Sequence, residues 1–116
     1  MKIKDIVEIL QGELISGEEF ADKEVLTACA SDMMSDVLAF VKEQAVLLTG
    51  LVNPQVIRTA VMMDMVCVVF VRSKMPSEEM LELAKDSGIV IMTTDKRLYE
   101  ACGLLYSNGL VGNSAK

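Results

Sequence analysis

Polar residues with ligand-binding chemistry follow each of four short apolar runs in this sequence. The first run is followed by Ser31-Asp32, the second by Thr49-Gly50, the third by Arg72 and the fourth by Thr93-Thr94-Asp95. Arginine and carboxylates bind charged groups, hydroxyls form hydrogen bonds, and glycine lets a ligand approach the backbone. If the runs are parallel strands, their carboxyl ends meet at one edge of a sheet, where such sheets bind ligands. We therefore expect a ligand-binding site that consists of Ser31, Asp32, Thr49, Gly50, Arg72, Thr93, Thr94 and Asp95.

The same residues also suit a purely structural role. Ser31 or Asp32 can cap the helix that follows, and Thr94 or Asp95 can cap the last helix, because short polar side chains accept hydrogen bonds from free backbone N–H groups. Arg72 can pair with a carboxylate across the edge or lie in an ordinary surface loop. Helix capping and ligand contact both stay open for these positions.

Several kinds of catalytic site are absent from the sequence. There is no histidine, which removes the commonest general base and the usual metal ligand. The cysteines lack the paired spacing of a zinc site, and neither the glycine-rich phosphate loop nor the dinucleotide-binding fingerprint occurs. We expect no catalytic residues, no metal ion and no cofactor.

An enzyme that uses carboxylates, or carboxylates with a divalent metal, is a remote alternative. It requires Asp32, Asp36 or Asp95 to converge within coordination distance. Nothing in the spacing of these residues marks a catalytic pair.

Composition limits the classes of partner. The chain has 116 residues, enough for one domain with one core, and 52% of them are hydrophobic. The formal net charge of −6 disfavours binding to the phosphate backbone of nucleic acids. No apolar run approaches the roughly 20 residues that span a bilayer, so we expect no membrane association. Three unpaired cysteines without a preceding apolar leader indicate a reducing, cytoplasmic setting.

The pattern of apolar residues predicts an α/β fold. Helical spacing follows each run; the helix after the first run, for example, has Met34, Val37, Leu38 and Val41 on one face. This alternation predicts a three-layer α/β/α sandwich with a mostly parallel sheet of four to five strands. The expected strands, including a short one at an edge, are Glu13–Ser16, Val25–Ala30, Ala45–Thr49, Val66–Val71 and Ile89–Met92. We expect a single domain over residues 1–106 and a flexible C-terminal tail over residues 107–116.

Two local features have more than one interpretation. Asn53-Pro54 is a strong helix start, with Asn53 as the expected cap. Met62, Met63 and Met65 cluster at the end of that helix. They either fill the core or form an adaptable surface for a protein partner.

The sequence resembles the DRTGG domain family over roughly residues 1–106. The stretches that carry the resemblance are Ile3–Val7 with Leu10 and Gly12-Glu13, Ala30–Leu38, Asn53-Pro54, Lys74–Pro76 and Thr93–Asp95; Ala30–Leu38 is the most specific. It is also similar to the N-terminal domain of HPr kinase/phosphorylase. The Asp-Arg-Thr-Gly-Gly string that names the family does not occur, so no role of that string carries over; Thr49-Gly50 is at most its remnant.

The resemblance implies a non-catalytic α/β module with a regulatory or dimer-forming role. Together with the polar strand ends, it predicts a regulatory or ligand-sensing domain that binds a small anionic metabolite or nucleotide and forms a homodimer. The alternative is a protein–protein interaction module of a metabolic pathway.

Overall fold

Five strands form one sheet at the centre of the molecule. They are β1 (Glu13–Ser16), β2 (Thr27–Ala30), β3 (Ala45–Thr49), β4 (Cys67–Phe70) and β5 (Val90–Thr93). Their order in the sheet is β1-β5-β4-β3-β2. Strands β2 to β5 are mutually parallel, whereas β1 pairs with β5 in the antiparallel direction. This computed structural model describes residues 1–40 and 43–112.

Five helices cover the two faces of the sheet. They are α1 (Ile3–Leu10), α2 (Met34–Phe40), α3 (Pro54–Met62), α4 (Glu78–Ser87) and α5 (Leu98–Ser107). Helices α1 and α5 pack on one face, and α2, α3 and α4 pack on the other. The predicted three-layer α/β architecture is confirmed.

The apolar runs of the sequence become strands because both of their faces are covered. In β3, Val46 and Leu48 pack with the α1/α5 layer, whereas Ala45 and Leu47 pack with the α2–α4 layer. Every residue of β3, β4 and β5 is buried. A parallel strand buried on both sides needs a continuous apolar run rather than an alternating one.

Helix ends follow the sequence in some places and depart from it in others. Ser77 caps α4, since its side chain accepts a hydrogen bond from the backbone N–H of Met80, and Gly88 ends the helix with a φ of +72°. Asn53 precedes α3 as expected, but its side chain caps nothing, so that capping prediction is wrong. The residue before α5 is Arg97, and neither Thr94 nor Asp95 caps that helix.

Two residues near the end of the described chain, Leu110 and Gly112, contact the rest of the domain. Leu110 is 4% exposed and belongs to the core on the α1/α5 face. Gly112 forms an isolated parallel bridge with Ala28 of β2. The expected tail therefore contributes to the fold in this part; residues 113–116, like Val41, lie outside the described residues.

The methionine cluster divides between core and surface. Met65 is buried, whereas Met62 at the end of α3 is 67% exposed. Within the described residues, no helix has both the length and the apolar character needed to cross a membrane.

Candidate functional site

The carboxyl ends of β2, β3, β4 and β5 lie along the same edge of the sheet, because these four strands are parallel neighbours. The loops that follow them are called the rim below, and they comprise residues 31–33, 50–53, 71–77 and 94–97. All the residues predicted for the site lie in these loops or at the last position of a strand. The sheet thus brings together the positions that the sequence singled out, although whether they bind a ligand stays a prediction.

Asp32 ties the loop after β2 to the end of β3. Its Oδ1 accepts a hydrogen bond from the backbone N–H of Gly50 at 2.7 Å and another from the hydroxyl of Thr49 at 2.9 Å. The Thr49 hydroxyl in turn accepts from the N–H of Leu51 at 3.1 Å. Asp32 therefore reaches across to the neighbouring strand instead of capping α2, and the capping expectation is wrong for this residue. Ser31, in contrast, bonds within its own loop, because its Oγ accepts a hydrogen bond from the backbone N–H of Met33.

The hydrogen bonds of Asp32 fix its charge state. The backbone N–H of Gly50 is the main cause that lowers the pKa of the Asp32 carboxyl below its usual value, and the Thr49 hydroxyl and the charge of Arg72 act in the same direction. Burial opposes this shift but does not reverse it. The site therefore contains a carboxylate at neutral pH.

Arg72 reaches this cluster from the next strand, β4. Its Nη2 lies 2.7 Å from the position that a Cβ of Gly50 would occupy. Any larger residue at position 50 would displace the guanidinium, so the glycine makes room for it. Asp32, Thr49, Gly50 and Arg72 form one connected group, called the Asp32–Arg72 cluster below.

The backbone at Arg72 is held in an unusual conformation. Arg72 and Ser73 have φ values of +57° and +56°, in the left-handed region that costs a non-glycine residue free energy. Their N–H groups donate to the carbonyls of Lys96 and Thr94, each at 2.8 Å. The loop after β4 is thus attached to the loop after β5, and this attachment holds the backbone from which Arg72 projects.

Thr93 and Thr94 use their hydroxyls inside the protein. The Thr93 hydroxyl donates to the backbone carbonyl of Lys74 at 2.9 Å, and the carbonyl of Phe70 also lies within reach at 3.2 Å. The Thr94 hydroxyl donates to the carbonyl of Leu10 at 2.9 Å. Both threonines are buried, so the geometry gives them the role of shaping the rim.

Asp95 is exposed, and its Oδ1 lies 3.9 Å from Nζ of Lys96. It does not join the Asp32–Arg72 cluster. In the described ranges 1–40 and 43–112, no group of three histidine, cysteine, aspartate or glutamate side chains could hold a metal ion. The carboxylate enzyme required such a convergence of Asp32, Asp36 or Asp95, and the structure gives it no support.

The cysteines are poor nucleophiles in this fold. Burial raises the pKa of Cys67, which lies in β4, and burial is also the main cause that raises the pKa of Cys29 and Cys102. All three thiols are therefore protonated at neutral pH, and the protonated form does not attack substrates.

Charge at the rim differs in sign from charge over the whole chain. The four loops contain the cations Arg72, Lys74, Lys96 and Arg97 and the carboxylates of Asp32 and Asp95. Four positive charges less two negative ones leave +2, on a chain whose formal net charge is −6. Glu13 of β1 adds one carboxylate beside Thr93 at the far end of the edge. A locally positive edge attracts anions to this part of the surface.

Two residues of the rim escaped the sequence-based prediction of the site. Met33 and Met75 are 61% and 55% exposed, and they lie in the loops after β2 and β4. They offer apolar surface on both sides of β3, the strand that leads into Gly50. A single methionine in a loop carries no periodic signal, so only the sheet order could reveal the pair.

The fold and its rim define a small α/β domain in which the described residues form no metal-binding cluster. The model of the DRTGG domain matches residues 5–107, which is most of the chain. The chain therefore belongs to the DRTGG domain family, as the resemblance in the sequence predicted. The likeness to HPr kinase/phosphorylase stays a prediction.

Among solved structures, the chain is similar to the CBS and DRTGG domains of the regulatory region of Clostridium perfringens pyrophosphatase, a crystal structure complexed with the activator diadenosine tetraphosphate. The TM-score is 0.72 at 21% sequence identity, which shows a shared fold. The match covers 90% of this chain and 45% of the other, so this chain spans less than half the length of that neighbour. A comparison with curated proteins gives no match.

Proposed function

We propose that this domain is a non-catalytic regulatory module that binds a small anionic metabolite, of the nucleotide class, at the rim, and that it works as a homodimer. The Asp32–Arg72 cluster is the observation that carries the proposal. It combines a guanidinium with a carboxylate on a rigid strand-end framework. None of the ion pairs among the described residues involves Arg72, so its charge is available to a ligand.

The chemistry of the cluster suits a phosphorylated ligand. A guanidinium donates two parallel hydrogen bonds to phosphate oxygens, and the positive rim favours the same charge. The intramolecular hydrogen bonds of Asp32 use Oδ1, which leaves Oδ2 to accept from a hydroxyl or amino group of the ligand. Met33 and Met75 supply exposed apolar surface against which a base can pack.

The structural neighbour supports the nucleotide class. Its regulatory region was crystallised with diadenosine tetraphosphate as an activator. An activator of this kind has the phosphate charge and the bases that the rim could accommodate. For the present chain this ligand class is part of the proposal.

Thermal unfolding with a small panel of ligands tests the proposal. The panel contains AMP, ATP, diadenosine tetraphosphate and inorganic phosphate. A ligand present at 100 times its Kd stabilises the fold by about 2.7 kcal/mol, which raises the Tm of a domain of this size by on the order of 10 °C. We expect at least one nucleotide to give such a rise and Arg72→Ala to abolish it.

Arg58→Ala is the matched control, because Arg58 is an exposed arginine on α3, 3.8 Å from Glu79 and outside the rim. It should leave the rise in Tm intact. A panel without any rise, or an equal rise in wild type and Arg72→Ala, would contradict the proposal.

A protein–protein interaction module is the second candidate, and one observation favours it. An apolar groove between α3 and α4 is lined by Ile57, Val61, Met62 and Leu83, with Met62 two-thirds exposed at 67%. A partner that binds the wild type and is lost with Met62→Glu, but not with Arg72→Ala, would support this function.

A further inference from the structure

Helix α5 carries large uncharged residues on part of its outer side as well as on the side that faces the sheet. Ala101 and Leu105 are buried against the sheet. The side turned away from the sheet presents a stripe that we call the outer stripe, formed by the exposed Tyr99, Gly103 and Tyr106 and by Cys102, which is half-buried against the core. Tyr99 is 91% exposed and Tyr106 is 66% exposed. Their spacing of i, i+3, i+4 and i+7 is that of a helix face that packs against another surface.

The glycine in this stripe makes no contact with the described residues that requires the lack of a side chain. Gly103 lies in the interior of α5, where glycine costs about 1 kcal/mol relative to alanine. Apart from its two chain neighbours and the nearby backbone of α5, a Cβ built on it meets no atom of the described residues within 4 Å. The lack of a side chain here therefore serves neither a turn nor a close contact inside the domain, and a close approach from outside would account for it.

The outer stripe is complementary to itself. Tyr99 precedes Cys102 by three residues, and Tyr106 follows Gly103 by three residues, so the order large, small, small, large is the same from either end. Two antiparallel copies of α5 that cross at Cys102 and Gly103 would place each tyrosine opposite the tyrosine of the other copy. A two-fold contact between identical chains requires this kind of self-complementary surface. Small residues at the crossing point let the helix axes approach closely.

The low charge of this surface also favours the binding of a second copy of the chain. Two chains of net charge −6 repel each other across acidic faces. The only charged residue of α5 is Glu100, so this helix is a place where two acidic domains can meet with little repulsion. A cavity of about 230 Å³ next to Tyr106 and Cys102, lined also by Ala28 and Leu110, extends the apolar surface toward the edge strand β2.

We propose that the outer stripe of α5 is the homodimer interface of this domain and that its partner is α5 of a second copy. This inference rests on the homodimer part of the proposed function and is independent of the ligand. Gly103 is the residue on which close contact of the two helices depends, and the tyrosines form the surrounding contact.

The test is the molar mass of the intact protein in solution, measured by sedimentation over a range of concentrations. We expect the wild type to dimerise and Gly103→Gln to weaken the dimer by about tenfold or more, because the new side chain separates the helices. Tyr106→Lys should act in the same direction. Ala39→Gln is the matched control, since Ala39 is an exposed small residue on α2. Thermal unfolding of the monomeric variants should show an intact fold, because glutamine is a better helix former than glycine.

The outcomes distinguish the existence of a homodimer from the location of its interface on α5. A wild type that stays monomeric at every concentration would overturn both the interface and the homodimer. A dimer that is equally strong in wild type and in Gly103→Gln would overturn this interface and leave the homodimer standing. Arg72→Ala should remain dimeric, because the ligand site and the outer stripe share no residue.

Discussion

A single carboxylate organises the candidate site at the scale of the residue. Asp32 accepts hydrogen bonds from both the side chain of Thr49 and the backbone of Gly50, at distances below 3.0 Å. The Gly50 N–H, the Thr49 hydroxyl and the positive charge of Arg72 all lower the pKa of the Asp32 carboxyl. The side chain of Asp32 thus contributes both to the stability of the fold and to the arrangement of the candidate site.

Replacement of Asp32 should lower stability in a manner that depends on pH. Hydrogen bonds to a charged group contribute about 1.5–3 kcal/mol each when buried, and solvent exposure of Asp32 reduces this, so we expect Asp32→Ala to cost about 1 kcal/mol of unfolding free energy at neutral pH. Because folding lowers the pKa of Asp32, its carboxylate stabilises the fold above the ordinary value of 3.8. This contribution is lost as the pH falls through the still lower pKa of the folded state.

Urea unfolding of the wild type and of Asp32→Asn checks the charge. The wild type should be more stable at neutral pH, and the advantage should shrink as the pH falls below 3.8. A difference in unfolding free energy that is the same at neutral and acidic pH would show that the charge of Asp32 does not matter.

At the scale of elements, α1 is attached to the sheet by a buried hydroxyl. Thr94 is 2% exposed, and its Oγ1 donates to the carbonyl of Leu10 at the end of α1. Removal of the hydroxyl leaves a carbonyl without this donor in a buried place, which costs about 1–3 kcal/mol. We therefore expect Thr94→Val to lower the unfolding free energy by that amount in urea titrations.

Thr59→Val provides the matched control for Thr94→Val. Thr59 is fully buried on α3, and within the described residues its Oγ1 has no hydrogen-bond partner. Loss of an unpartnered hydroxyl should be neutral or stabilising. Equal destabilisation by the two substitutions would argue that the hydrogen bond to Leu10 contributes nothing.

The segment after α5 should behave as part of the domain. Leu110 is buried among the residues of the α1/α5 face, so Leu110→Ala removes packed apolar surface. We expect a loss of about 2 kcal/mol or more in the unfolding free energy, a value typical of buried leucine. A substitution without effect on Tm would place this segment outside the cooperative fold.

At the scale of the whole molecule, the shared direction of strands β2 to β5 brings the residues of the candidate site together. Four parallel strands send their carboxyl ends to one edge, and helices on both faces leave that edge to loops. The loops at this edge carry a net positive charge, whereas the chain as a whole carries a net negative charge. Under the proposed function, occupation of this edge by a ligand changes the stability and the contacts of the domain without any catalytic group.

Local pattern in the sequence predicts the layers and the edge but not the contacts across it. The continuous apolar runs at Ala45–Thr49 and Val66–Val71 indicate buried strands, because a strand covered on both faces must be apolar throughout. The bond between Asp32 and Gly50 joins residues 18 positions apart, so no local rule identifies it. Capping rules assigned Asp32 and Asn53 to the nearest helix, whereas in the folded molecule Asp32 accepts its hydrogen bonds from Thr49 and Gly50 at the end of β3.

The C-terminal segment also contains a contact that the local sequence pattern does not predict. Its composition is polar and glycine-rich, which is typical of a frayed end. Leu110 is nevertheless buried, because helix α5 leads it back to an apolar surface beside β2. The orientation of α5 that causes this contact is a property of the folded molecule.

Mapping of ligand contacts by NMR is the sharpest test of ligand binding at the rim. An isotope-labelled sample is titrated with diadenosine tetraphosphate, and the backbone amide signals of the glycines are followed. We expect the amide signal of Gly50 in the Asp32–Arg72 cluster to shift on binding, and those of Gly17 and Gly88, at the opposite edge of the sheet, to stay unchanged. Binding that shifts Gly17 and Gly88 but leaves Gly50 unchanged would contradict a ligand site at the rim.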